Sequence, residues 1–379
     1  MSRPLTSRKP VVLQVLHTLN IGGAEVLAAR LARRLKERYE FVFVCLDALG
    51  SMGPELRSEG FPVEVLNRRE GIDLLCVRKL AGVARDYKAD LIQAHQYTPF
   101  FYARAPGWFG PRVPVMFVEH GRAYPDVASR KRRLFNRMFL RSVDRVVAVG
   151  EAVKRALVEK EAIPAQRIEV IYNGVRLDDF SHDDSLRQRM RAELDIANEM
   201  PVAIQVARLD YLKDHFTALR TAEKVRNVIP SFRLLLVGEG PERAKIEAEI
   251  AERKLAGTVQ LLGLRADVRQ LLAVADMFLL TSISEGIPVT FIEAMAARLP
   301  IVSTAVGGVE EVVLDGITGR IAPSGDDAQL ACCVLELLQD RAAAQAMGAA
   351  GAKRAIELFS EQQMHESYAR LFDRMVGKR

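Results

Sequence analysis

The stretch TSISEGIPVTFIEAMA, Thr281–Ala296, decides how the rest of the chain is read. It continues an apolar run at 277–281 that reads as a buried strand, and Pro288 opens the helix that begins around Val289 or Thr290. Glu285 and Glu293 therefore stand eight residues apart across a strand-to-helix junction, Glu285 in the loop beside Gly286 and Glu293 on the helix behind. A structural helix has no use for that arrangement. A site gripping a polyhydroxylated ligand at two points does, with Glu285 reaching a sugar hydroxyl and Glu293 the two hydroxyls of a ribose. The amides around Ile287 and Val289 add a phosphate contact, to which Pro288 contributes no donor. Glycoside hydrolases also use two carboxylates, but theirs flank the scissile bond, whereas these come from one segment.

Working outward, the same strand-then-helix unit repeats along the chain. Strands are expected at 11–16, 41–46, 63–66, 90–94, 115–118, 145–149 and 168–171, and again at 202–206, 233–237, 259–262, 277–281, 301–303 and 320–322. Leu27, Leu31 and Leu35 at four-residue intervals after Gly22-Gly23 predict an amphipathic helix. The polar segment 178–184 reads as a linker between two alternating halves, which predicts two parallel-sheet domains with ligands at the carboxyl ends of their strands, in a cleft between them. The expected domains are 1–180 and 181–358, with a helical tail split near Phe359-Ser360 whose last part, 359–379, returns to the first domain.

Loops after strands hold the remaining candidates. Arg208 and Lys213 follow the strand at 202–206 and suit neutralisation of a diphosphate whose charge grows as it leaves. Gly22 and Gly23 let backbone approach a ligand at a helix start, but their spacing is neither the dinucleotide fingerprint nor a P-loop. Gly238 and Leu264 lie in short loops fit to frame a nucleotide base. His120 and His95 each end a strand, so both are candidates to meet an acceptor or donor-sugar hydroxyl. His17 reads as packing beside the glycine turn, and His182 and His365 as surface residues. No Asp-x-Asp follows a strand and no ligand spacing appears, so no metal is expected.

Composition narrows the class. The 379 residues, 49% of them apolar, suffice for two sizeable cores. No apolar run reaches the roughly 20 residues of a membrane span, no apolar leader opens the chain, and the four cysteines form no framework, which together predict a reduced cytoplasmic protein. The formal charge of +6 is uneven: residues 1–180 hold 30 Lys or Arg against 20 Asp or Glu, and residues 181–379 hold 24 against 28. The densest basic segment, Arg130–Arg141, either lies on an anionic bilayer or is a solvated helix packed on one side by a sheet. Without interleaved exposed aromatics or a recognisable module, nucleic acid is not an expected partner.

In this order and spacing the motifs resemble the retaining glycosyltransferases of the GT-B fold, glycosyltransferase family 4 (group 1). The likeness runs through Gly22-Gly23-Ala24-Glu25, Glu119-His120-Gly121, Tyr172-Asn173-Gly174-Val175, Arg208 with Lys213, Gly238 to Pro241, Ser284 to Ala296, and Gly307-Gly308. The resemblance implies that Glu285 and Glu293 close the family's Glu-x7-Glu element on donor sugar and ribose, and that Arg208 and Lys213 hold the diphosphate. It also implies that Gly22-Gly23 admit donor phosphate or acceptor, and that His120 touches the transferring sugar. Front-face attack with retention and no metal come with the family, and a UDP- or GDP-linked donor is the expected substrate. Two positions depart from it: Asp214 follows Lys213 where relatives carry glycine, and Arg298 stands where glycine is common. The expected function is transfer of a hexosyl or N-acetylhexosaminyl unit to a hydroxylated, lipid-linked or phosphorylated glycan in envelope polysaccharide synthesis. The competing readings are a nucleotide-sugar epimerase of the same fold and a non-catalytic nucleotide-sugar-binding partner.

Overall fold

The computed structural model describes residues 8–105, 113–120, 129–177, 180 and 184–377. Among these, 8–120, 129–172 and 364–377 form one compact unit and 173–363 a second.

The first unit is built on seven parallel strands: β1 (Val11–Leu16), β2 (Glu40–Cys45), β3 (Val63–Val65), β4 (Leu91–His95), β5 (Val115–Glu119), β6 (Arg145–Ala148) and β7 (Ile168–Val170). Their spatial order is β3-β2-β1-β4-β5-β6-β7. Strands such as VVLQVL and EFVFVC are apolar on both faces because helices cover both, and β1 is buried at every position. On one face, Leu27, Leu31 and Leu35 of the helix Gly23–Leu35 point inward with Ala24, Ala28 and Ala32 between them, the small residues letting the helix lie close. The same face receives the helix Glu361–Val376, whose Met364, Tyr368, Phe372 and Met375 join this core, Phe372 lying against the ring of Phe41 at 6.3 Å. Tyr39 anchors it: its ring meets Phe372 edge-on at 5.3 Å, and its hydroxyl donates to Asp373 Oδ1 at 2.5 Å. On the opposite face the buried ion pair Arg104–Asp144, 2.8 Å apart, satisfies the Val113 carbonyl and the amides of Val115 and Arg141, tying the edge of β5 to β6.

The second unit repeats the design with β8 (Val202–Val206), β9 (Arg233–Val237), β10 (Val259–Gly263), β11 (Met277–Leu280), β12 (Ile301–Thr304) and β13 (Gly319–Ala322), ordered β10-β9-β8-β11-β12-β13 and parallel throughout. Beneath this sheet the fully buried Arg191 donates to the carbonyls of Val274, Ala197, Asn198 and Met200 and pairs with Asp276, closing the amino-terminal edge with side-chain hydrogen bonds.

Every strand expected from the sequence is present within a residue or so of its predicted bounds. In each sheet the strand order reverses at one point, between β1 and β4 and between β8 and β11. At such a reversal the following loops part in opposite directions and leave a crevice at the carboxyl ends. Those two points position everything that follows. The predicted linker lies largely outside the described residues.

Candidate functional site

In the second unit the crevice is walled by the loops after β8 and β11. The loop after β8 turns through one 3-10 turn, Tyr211–Lys213, capped by Asp210, which accepts from the Leu212 amide at 3.0 Å. Asp214 then adopts φ 42° and ψ 56° and caps the helix His215–Val228 through the Thr217 amide at 3.2 Å and hydroxyl at 2.5 Å. The departure from the family pattern thus has a local reason. The position needs a left-handed residue, which glycine supplies freely and aspartate tolerates while adding a cap.

Thr281 stitches the two loops together by donating to the carbonyls of Asp214 at 2.8 Å and Lys213 at 3.1 Å, and the Ile283 amide donates to the Leu212 carbonyl at 2.8 Å. Lys213 is thereby aimed at Glu285: its ammonium donates to Glu285 Oε1 at 2.5 Å, and the Ser282 hydroxyl donates to the same oxygen at 2.6 Å. Glu285 is 8% exposed and Lys213 24%. Arg208 is 70% exposed and only loosely drawn to Asp210 at 3.8 Å, so its guanidinium is available at the crevice mouth. Gly307, at φ 56°, lies so close behind that a Cβ there would meet the Glu285 carbonyl oxygen at 1.8 Å. The carboxylate loop has no room to retreat.

Pro288 stands at the amino-terminal cap of the helix Val289–Ala296, and Glu293 is half-buried on that helix. The Ile287 side chain is buried. Gly238, at φ 144°, sits where a Cβ would strike the Ala207 carbonyl at 2.0 Å, which packs the loop after β9 onto that after β8. Leu264 follows the edge strand β10 and is 82% exposed.

The first unit's crevice is lined differently. Gly22 caps the helix Gly23–Leu35 in extended conformation without a side-chain hydrogen bond. His120 and His95 meet there, Nε2 to Nδ1 at 2.9 Å with rings nearly parallel. Burial lowers the His120 pKa to about 4 and holds His95 well below the usual histidine value, so both are neutral. His95, expected among acceptor contacts, is instead 1% exposed with both ring nitrogens occupied, the other by Gln14 at 2.7 Å. Any influence it has on a ligand passes through His120. His365, read as a surface residue, is buried on the inward face of the last helix, where burial takes its pKa to about 4. His182 lies outside the described residues.

Sequence reading missed one cluster. His17 Nδ1 is 2.9 Å from Asp47 Oδ2, whose other oxygen accepts from Arg68 at 2.7 Å, with Arg68 stacked over Tyr102. Burial pushes the Asp47 pKa upward, but the hydrogen bonds from Arg68 and His17 outweigh it and hold it below the usual carboxylate value. The available signal was positional: His17 directly follows β1 and Asp47 comes two residues after β2, so both fall at the same sheet edge.

The basic helix Arg130–Phe139 packs through one stripe, Phe135 lying 4.9 Å from Phe101 and 6.1 Å from Phe100 between ring centres. Leu134 and Met138 are 60% and 63% exposed on the other side. Among the described residues no helix is long and apolar enough to cross a membrane, and no group of three or more His, Cys, Asp or Glu could hold a metal ion.

Two families match this chain in succession, "Glycosyltransferase Family 4" over residues 21–179 and "Glycosyl transferases group 1" over residues 187–354. The chain belongs to the glycosyltransferases. Among curated relatives, this glycosyltransferase is 27% identical to the putative glycosyltransferase EpsF of Bacillus subtilis over 306 residues, 78% of this chain and 79% of that one. It is 25% identical to the N-acetyl-alpha-D-glucosaminyl L-malate synthase of Bacillus anthracis over 372 residues, 93% and 94% of the two chains. Among solved structures, the glycosyltransferase of Rickettsia africae superposes with a TM-score of 0.85 at 20% identity, covering 98% of this chain and all of that one. Anabaena HepE, solved with UDP-glucose, superposes with a TM-score of 0.82 at 24% identity, covering 95% and 98%. These likenesses show the fold, two Rossmann-like domains of the GT-B class. The reaction of this glycosyltransferase is the transfer of a sugar unit to an acceptor.

Proposed function

We propose that the enzyme moves a hexosyl or N-acetylhexosaminyl unit, with retention of anomeric configuration and without a metal, onto a lipid-linked or phosphorylated glycan. The Lys213–Glu285 contact at the β8/β11 reversal carries this reading, because it couples a cation suited to diphosphate with a carboxylate suited to a sugar hydroxyl. On donor binding, Lys213 and Arg208 take the diphosphate oxygens, Glu285 holds a sugar hydroxyl, and Glu293 holds the ribose. Gly238 and Leu264 frame the base, while the amides at Gly286, Ile287 and Val289 add donors. The C1–O bond to the diphosphate breaks as the acceptor oxygen bonds to C1 from the same face, and the acceptor's proton passes to the departing phosphate oxygen. Arg208 and Lys213 absorb the charge that develops there.

The relatives' names support the donor class: one forms an N-acetylglucosaminyl product, HepE was solved with UDP-glucose, and a 29% identical Mycolicibacterium smegmatis relative, over 57% of this chain, is a GDP-mannose-dependent phosphatidylinositol monomannoside mannosyltransferase. A panel of UDP- and GDP-sugars with and without membrane extract tests the reading. Acceptor-dependent release of nucleoside diphosphate is expected, and an isomerised nucleotide sugar formed without acceptor would replace transfer by epimerisation.

The acceptor proposal extends to where the enzyme works, on the inner face of an anionic membrane. Leu134 and Met138 stand exposed among Arg130, Lys131, Arg137 and Arg141, a pairing of apolar and cationic groups that suits a headgroup region. Replacing Leu134 and Met138 together by glutamate is expected to cut partition onto anionic vesicles roughly tenfold or more, read by flotation. Equal flotation of the altered protein would remove the membrane from the proposal.

A further inference from the structure

A line of polar side chains crosses the first unit's sheet at its strand reversal. Gln14 of β1 and Gln93 of β4 are register neighbours, both fully buried, and Gln14 Nε2 donates to Gln93 Oε1 at 2.9 Å. The remaining polar atom of Gln14, Oε1, lies 2.7 Å from His95 Nε2, and His95 Nδ1 lies 2.9 Å from His120 Nε2. An amide oxygen offers only lone pairs, so the proton of His95 belongs on Nε2. A neutral imidazole carries one N–H, which leaves His95 Nδ1 as an acceptor and places the proton of His120 on its Nε2. The last atom in the line, His120 Nδ1, then presents a bare lone pair. It has no protein partner among the described residues, and the ring is only partly covered at the carboxyl edge of β5.

We propose that Gln14 and His95 are positioning residues that lock His120 as its Nε2–H tautomer, so that Nδ1 accepts a hydrogen bond from a hydroxyl of the sugar substrate. The proposal rests on the transfer reading above and deepens it, because a lone pair at this point selects among sugars. A hydroxyl donates to it; a carboxylate sets acceptor against acceptor. Uncharged hexoses and N-acetylhexosamines are favoured over hexuronates at that position by about tenfold or more. A purely structural histidine plug would need neither the defined polarity nor an open terminal nitrogen.

Nitrogen-15 spectra of the full chain labelled at histidine read the tautomer directly and need no activity. An unprotonated Nδ1 with a protonated Nε2 on His120 is expected; a protonated Nδ1, meaning the line runs with opposite polarity, overturns the proposal. Gln14→Met keeps the side-chain length and removes the acceptor, and it should mix the two His120 tautomers while lowering kcat about tenfold, with a smaller change in donor KM. In a His120→Ala background the same substitution should lower kcat no further. Equal losses in both backgrounds would assign Gln14 a packing role and also overturn it. Should no nucleotide sugar be turned over while the spectrum shows the bare Nδ1, the transfer reading fails and the tautomer lock stands.

Discussion

Lys213→Ala is expected to lower kcat/KM by about 10² to 10³, the range found when one preorganised charge or donor is removed from a transition state. Two effects combine. The diphosphate loses the ammonium as its charge grows, and Glu285, 8% exposed and held at 2.5 Å by that ammonium, keeps only the Ser282 hydroxyl among its named side-chain donors. The first effect appears in kcat at saturating donor. The second loosens the carboxylate that holds the sugar, so donor KM rises as well. Steady-state kinetics with a competent donor and acceptor check both, beside Glu285→Gln, which keeps the shape and removes the charge. Full turnover of Lys213→Ala at saturating donor would strip Lys213 of its part in the reaction.

The second large effect comes from a residue with no chemistry. A Cβ on Gly307 would stand 1.8 Å from the Glu285 carbonyl oxygen, and the backbone there has φ 56°. Overpacking costs about 1–3 kcal/mol and a left-handed non-glycine residue about 1–2 kcal/mol more, so Gly307→Ala should lose roughly 2–5 kcal/mol of stability. Relief of the overlap must push the Glu285 loop outward, and an ångström of misplacement is worth about 10² in rate. Gly325, at φ 80° with open space around it, supplies the comparison. Gly325→Ala should show only the backbone penalty and keep full activity. Denaturant unfolding and kcat on both proteins separate the terms, and a Gly307→Ala enzyme as active as its parent would mean the loop does not need that support.

Periodicity and loop position made the sheets legible, because parallel strands covered on both faces must be apolar runs, and thirteen such runs stand out between helical segments. The Glu285–Lys213 pairing was not legible. The two residues lie 72 apart in sequence, and only the β8/β11 neighbourhood and the Thr281 bridge bring them together. The burial of His95 was not legible either, because the end of a strand does not specify which side of the sheet a ring enters, and Gln14 is hidden inside an apolar run. His365 fell on the inward stripe of an amphipathic helix, where four apolar neighbours at helical spacing would have predicted its burial. The left-handed Asp214 shows the reverse case, a departure from a family motif that is explained by dihedral angle and cap.

The last helix has a consequence for synthesis. By the time residue 172 leaves the ribosome, every strand of the first sheet has been made, yet the patch around Tyr39 and Phe41 that receives Phe372 still lacks its cover. At translation speeds of about 5–20 residues per second, that oily surface waits roughly ten to forty seconds for the tail to arrive. The earlier-made domain is therefore the later one to be finished, and its apolar face stays open to water during that interval.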